Sequence, residues 1–221
     1  MNKEILYKSL NKYFSDLSKT QSLSDLNERN ERENFYRSYT YEKIINMDED
    51  EFYEYISKLW AMIIWGNKHY IIDKYISDNG FDHLKKSIAN LLYGSEPIEQ
   101  RWDNFKDNIK GFGPAMMSEL LCYVNPNEYM IWNTTAVNAY KNLEIKGIPK
   151  HNYQITGKKY VELTKYSKEI QEVILEKYNR QENLLFVDYF FWDCLREVPE
   201  DKDENSVKAD TVVNNKSYHN E

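Results

Sequence analysis

Glycine and proline are scarce in this chain, seven and five among 221 residues. Strand-rich folds need frequent turn residues, so the scarcity argues against a many-stranded sandwich and for long uninterrupted helices. Cysteine is nearly absent. Cys122 and Cys194 both fall inside apolar helical patterns, which reads as two reduced core residues rather than a disulfide framework. The four histidines, His69, His83, His151 and His219, have no partner at ligand spacing, so no zinc site is readable. A P-loop, a dinucleotide fingerprint and a Gly-x-Ser-x-Gly nucleophile are all missing, so no cofactor and no ATP-driven chemistry is expected. The densest apolar run, Leu59 to Trp65, is far too short to span a bilayer, and the N-terminus lacks the apolar core of a signal peptide. A soluble, cytoplasmic protein with no membrane partner is the expectation.

What is present points to a mostly α-helical chain with a sizeable core. Hydrophobic residues make up 41% of it, and 19 tyrosines raise the aromatic share to 15%, enough for one domain with or without appendages. The net charge of −7 excludes wholesale coating of nucleic acid, but a local basic face is set by clustering and not by the total. The charge is uneven. Residues 141–168 carry seven lysines (Lys141, Lys146, Lys150, Lys158, Lys159, Lys165, Lys168) against two glutamates. From Glu200 onward there are six acids and three lysines in an Asn-rich segment poor in apolar residues, which reads as a disordered acidic tail.

Periodicity divides the chain into an N-terminal helical extension (1–45), a compact multi-helix domain (46–198) and the tail (199–221). Ile5, Leu6, Leu10, Tyr13, Phe14 and Leu17 share one helical stripe, and residues 25–45 look helical but strongly charged. Asp48 and Glu51 form a capping-box pattern. Phe52, Tyr55, Ile56, Leu59, Trp60, Ile63 and Ile64 follow at amphipathic spacing, which predicts one continuous helix. Further helices are predicted after Gly80, over 98–108, 115–124, 134–143, 158–178 and 182–196.

The most informative stretch is Lys110-Gly111-Phe112-Gly113-Pro114-Ala115, between two helical patterns. Glycine permits positive φ and removes the side chain that would hinder close approach of a partner. Proline suits the first position of a new helix. A helix begun in this way presents free N–H groups and a partial positive charge, a seat for a phosphate. Twenty residues after Gly113 comes Ile131-Trp132-Asn133-Thr134.

This hairpin, followed by Asn125-Pro126 and by Tyr129-x-Ile131-Trp132-Asn133, resembles the helix-hairpin-helix segment of the DNA-glycosylase superfamily. With Asp188-Tyr189-Phe190-Phe191-Trp192 near the end, the chain is more similar still to divergent helical domains found beside restriction and phage-defence proteins. The resemblance covers roughly residues 50–196. It implies an all-α, glycosylase-like fold that grips DNA through the hairpin. Lys110, Gly111, Phe112, Gly113 and Ala115 would meet the backbone, and Lys141, Lys146, Lys150, Lys158 and Lys159 would line duplex or single-stranded DNA. Trp132, Asn133 and Asp188 would form a base pocket, the Asn133 amide pairing with a base edge.

The departures are equally specific. Superfamily glycosylases carry an aspartate where this chain has Asn133, and an amide can neither take a proton from water nor stabilise a cationic sugar. Lyase members carry a nucleophilic lysine where this chain has Ala115. A DNA-binding module without the standard catalytic residues is therefore expected, sensing modified or foreign DNA. One rival is a base-excision glycosylase using a displaced acid, Glu119, Asp103 or Asp188. Another is a protein-interaction scaffold that engages a partner through the N-terminal extension or the acidic tail. Each candidate also has a plain structural role: Asn133 as an N-cap, Trp132 as core, and Asp188 as a buried carboxylate needing a partner.

Overall fold

A computed structural model describes residues 1–20 and 23–197. Among them are eleven α-helices and no strand: α1 (Lys3–Thr20), α2 (Leu23–Arg37), α3 (Tyr41–Ile45), α4 (Glu49–Ser57), α5 (Lys68–Asn79), α6 (Phe81–Tyr93), α7 (Ile98–Asn108), α8 (Pro114–Val124), α9 (Thr134–Asn142), α10 (Gly157–Tyr178) and α11 (Leu184–Cys194). The tail expected from 199 onward lies outside the described residues.

Side-chain chemistry sets the helix starts. Thr40, Asp48, Asn133, Thr156 and Asn183 each accept a backbone N–H of the turn that follows, and Asp48 with Glu51 completes the expected capping box. Gly80, at φ 78°, separates α5 from α6 in a backbone region that disfavours residues with a Cβ.

Helix α8 is the axis of the molecule. Met116 to Tyr123 are all buried, and the helix packs against α2, α6, α11 and the 3₁₀ turn Trp60–Met62. A helix that is apolar on every side has to sit inside others. The N-terminal segment joins the same hydrophobic cluster through Leu6, Leu10, Tyr13, Tyr36, Tyr39 and Ile44. The expected helix over 25–45 is broken at Ser38–Thr40, where Thr40 caps α3.

One departure from the sequence pattern matters for function. The amphipathic run from Phe52 to Ile64 is not one helix. It stops at Ser57, Leu59 is extended, and Trp60–Met62 form a 3₁₀ turn. The physical cause is a long-range one. The Glu119 carboxylate on α8 accepts the N–H groups of Trp60 (2.6 Å) and Ala61 (3.0 Å), two donors that a continuous helix would have used internally. The Lys68 ammonium takes the Ser57 carbonyl at 2.8 Å, and the Arg32 guanidinium takes that of Lys58. Periodicity places Ile63 and Ile64 in the core, yet they are 56% and 81% exposed.

Candidate functional site

The α7–α8 turn shows that its two glycines have different reasons to be there. Gly111 has φ 81°, and a Cβ on it would lie 3.1 Å from the Tyr75 ring, so the fold itself requires glycine. Gly113 has extended backbone (φ −82°, ψ 170°), and a Cβ there would meet nothing within 4 Å. The fold leaves the space above Gly113 open. Gly111→Ala is expected to cost about 1–2 kcal/mol for the left-handed backbone. Gly113→Ala should cost under about 1 kcal/mol. Chemical denaturation of the two variants checks this contrast.

Asn79 holds the turn in place: it accepts the Lys110 N–H at 2.7 Å and donates to the Lys110 carbonyl at 3.1 Å. The Lys110 side chain is exposed. Phe112 does not face outward as the expected DNA contact does. Its ring is 3% exposed and packs on Phe105 and Tyr75, leaving only its backbone in the turn. Ala115 and Met116 occupy the first turn of α8, where N–H groups have no intrahelical acceptor.

Beside this turn opens a cavity of about 440 Å³. Ala115, Glu119 and Tyr123 line it from one face of α8, at i, i+4, i+8 spacing. Leu185, Asp188, Tyr189 and Trp192 line it from one face of α11, at i, i+3, i+4, i+7 spacing. Ile131, Asn133 and Thr135 close it where the chain enters α9. Trp60, Ala61, Ile63 and Ile64 form its mouth, and Arg29 of α2 completes the wall. A wider, mostly polar groove of about 710 Å³ between α6 and α7 contains none of the expected site residues.

Two acids stand in this largely apolar space, and burial dominates both. It pushes Glu119 up to about 7, against the pull of the Trp60 and Ala61 N–H groups and of Arg32. Burial likewise pushes Asp188 up to about 7, opposed by the Asn133 side chain and by Arg29. The charge of Asp188 contributes to the rise at Glu119, so the two carboxyls titrate as neighbours. Asp188 Oδ1 and the Tyr189 hydroxyl are buried without a hydrogen-bond partner among the described residues. The Arg29 guanidinium lies 3.5 Å from the centroid of the Tyr189 ring.

The structure brings together Ala115, Asn133, Asp188 and Glu119. It does not bring Trp132 to them: that ring is fully buried, and its indole N–H donates to the Asn152 carbonyl at 3.2 Å. Trp132 is core. Asn133 is not free to read a base edge as expected, because its side-chain oxygen accepts the Ala136 N–H at 2.9 Å and caps α9. That bond turns its amide N–H₂ toward Asp188, where it favours the ionised acid. Asp103, weighed as a displaced acid, accepts the Gly157 N–H at 2.7 Å and does not line the cavity.

The lysine-rich segment divides. Lys159 pairs with Glu162 and Lys168 with Glu128, both at 2.6 Å. Lys141, Lys146, Lys150, Lys158 and Lys165 are exposed. The segment that follows Lys150 is anchored to α7 and to Trp132. Lys106 and Trp102 of α7 both donate to the Ile155 carbonyl, and Trp132 donates to Asn152. Arg29, Trp60, Ile63 and Ile64 were not legible as site residues. The only sequence trace of Trp60, Ile63 and Ile64 is an apolar run that the structure turns outward.

No family model, no curated protein and no solved structure matches the chain. Fold and site thus define the class on their own terms: a chain whose described residues are all-helical, with an acid-bearing, aromatic-walled cavity beside a glycine turn. No helix among the described residues is long and apolar enough to cross a membrane.

Proposed function

We propose that the protein is a DNA-binding module of glycosylase-like architecture, which holds the DNA backbone at the α7–α8 turn and admits a base to the adjoining cavity. The observation that carries this reading is the bare position at Gly113. Neither backbone conformation nor packing demands glycine there, while the space above it is open and Ala115, two residues on, lines the cavity. A phosphate can approach the first-turn N–H groups of α8 without obstruction. The exposed lysines of 141–165 supply a sequence-independent electrostatic term. Ile63 and Ile64 at the mouth suit insertion between base steps, as apolar wedges do where a base leaves the stack. By analogy of sequence motifs alone, the resemblance to defence-associated domains extends the reading to modified or foreign DNA.

Fluorescence anisotropy of a labelled duplex across a salt series tests this. Affinity should fall steeply as salt rises, in proportion to the phosphates engaged. Gly113→Ser introduces a better N-cap, which satisfies the first-turn N–H groups internally. It should keep or raise stability while weakening DNA binding about 10-fold, roughly 1.4 kcal/mol. The double change Ile63→Ser, Ile64→Ser should weaken binding by a similar factor with unchanged melting. Affinity independent of salt, or no binding even at low salt, contradicts the reading.

A second reading is favoured by one observation, the placing of Glu119 and Asp188 in the same cavity with both acids held near neutrality. A carboxyl so poised can exchange a proton at physiological pH, the requirement for a general acid or base in base excision. Excision from duplexes carrying altered bases, lost on Glu119→Gln or Asp188→Asn, would support it.

A further inference from the structure

The cavity is chemically selective in a way that goes past admitting a base, and the inference rests on the binding reading above. Its walls are flat aromatics, Trp60, Tyr189 and Trp192, which suit a planar ring. Its unpaired buried atom of greatest consequence is Asp188 Oδ1, an acceptor with no donor among the described residues. A buried acceptor left without a donor is costly, so a ligand that donates there recovers that cost. Glu119 is less suited to this part, because both of its oxygens already accept backbone N–H groups. An ammonium or other organic cation is disfavoured, since Arg29 stands in the same wall and over the Tyr189 ring. The ligand is therefore neutral, planar, and carries both N–H donors for a carboxylate and acceptors for a guanidinium.

Among nucleobases one edge pattern fits both demands best. Guanine presents N1–H and the 2-amino group side by side, a pair that a single carboxylate can accept. It also presents O6 and N7, the acceptor pair that arginine reads most often. Adenine and cytosine each offer a carboxylate one amino group beside a ring acceptor, and thymine offers only one ring N–H between two carbonyls. We propose that the cavity is a guanine-selective site in which Asp188 accepts the N1–H and 2-amino donors and Arg29 approaches the O6 and N7 acceptors. The Tyr189 hydroxyl, also without a partner, is a further polar contact. At about 440 Å³ the cavity falls within the ~300–1,000 Å³ of small-molecule sites.

The same chemistry can arrive as a free nucleoside or as a base in a strand, and both are tested on the full chain. Guanosine is titrated while tryptophan fluorescence is followed, Trp60 and Trp192 serving as reporters in the wall. Saturable binding is expected, about 10-fold weaker for inosine, which lacks the 2-amino group, and for 1-methylguanosine, whose N1–H is blocked. Thymidine should not bind. Asp188→Asn, nearly isosteric, should lose the preference for guanosine over 1-methylguanosine, with folding checked by thermal melting. The ligand-side comparisons need no variant, so they hold even if the variant is unstable.

In the strand arm, oligothymidylates carrying one guanine or one inosine are compared. Tighter binding of the guanine strand than of guanosine by 100-fold or more assigns the natural source to DNA. The reverse order assigns it to a free nucleoside and overturns the DNA reading while leaving guanine selectivity intact. Equal binding of guanosine, 1-methylguanosine and thymidine overturns guanine selectivity. DNA binding that is salt-dependent but indifferent to guanine or inosine also overturns it, and leaves the DNA reading standing.

Discussion

Raising the pH from about 5 to about 8 destabilises the wild-type protein relative to a variant in which Glu119→Gln and Asp188→Asn are combined. Both acids sit near 7 in the folded chain, against 4.5 and 3.8 for the free side chains. Between about pH 4 and pH 7 the native state therefore holds protons that the unfolded chain has already released. Stability falls with pH wherever the native state binds more protons, so the loss begins above pH ~4 and is complete above pH ~7. The shifts correspond to about 3 kcal/mol for Glu119 and about 4 kcal/mol for Asp188 at 1.36 kcal/mol per pH unit. The two are not additive, because the Asp188 charge is itself one cause of the rise at Glu119. Urea denaturation at a series of pH values should show the wild type losing roughly 3 kcal/mol relative to the double variant. Parallel profiles would contradict the burial of these acids. A ligand that donates to Asp188 should recover part of the loss at pH 8, which ties the stability measurement to the site.

Truncating Glu119 should have the second large effect. Glu119→Ala removes the acceptor for the Trp60 and Ala61 N–H groups, and with it the reason the chain leaves helical geometry after Ser57. Two donors lose their partner, at about 1–3 kcal/mol for each that remains buried. Removing a buried acid offsets part of this at neutral pH. The expected net cost is about 2–3 kcal/mol by denaturation, larger at pH 5, where the acid is neutral, than at pH 8. The 58–65 connection should lose its fixed course, so proteolysis there should quicken and, on the proposed DNA-binding reading, affinity for DNA should drop with it. Glu119→Gln keeps one acceptor oxygen and should cost less. Equal stability of Glu119→Ala and the wild type would show that Glu119 does not hold the connection.

The fold was legible where local rules act alone. Few glycines and prolines gave an all-helical chain, and Asp48, Gly80, Asn133 and Thr134 marked helix ends that the structure keeps. The site was legible in part. Asn133 and Ala115 stood out by their spacing from the hairpin, Asp188 by the 188–192 stretch, and Glu119 only as one of three candidate acids for the missing catalytic group. The cavity mouth was not legible, because one long-range carboxylate redirects a segment whose periodicity reads as core. Trp132 shows the opposite limit. Its neighbour in sequence faces the cavity, while its own ring is committed to the core and to the Asn152 carbonyl. Nothing in a local pattern separates a buried tryptophan from one that lines a pocket. Arg29 was hidden for a similar reason, since it belongs to a helix whose charges all read as solvated.

The central claim is that the turn and the cavity act together on DNA, the turn holding the backbone and the cavity taking a base. Its most direct test compares two duplexes of one sequence, one fully paired and one with a single guanine placed opposite an abasic site. Affinity is measured across a salt series for the wild type and for Asp188→Asn. The expected result is about 10-fold tighter binding of the unpaired-guanine duplex by the wild type, and loss of that advantage in the variant. Both duplexes should keep the same salt slope, because the backbone contacts are shared. Equal affinity of the wild type for the two duplexes, or no binding to either at low salt, would contradict it.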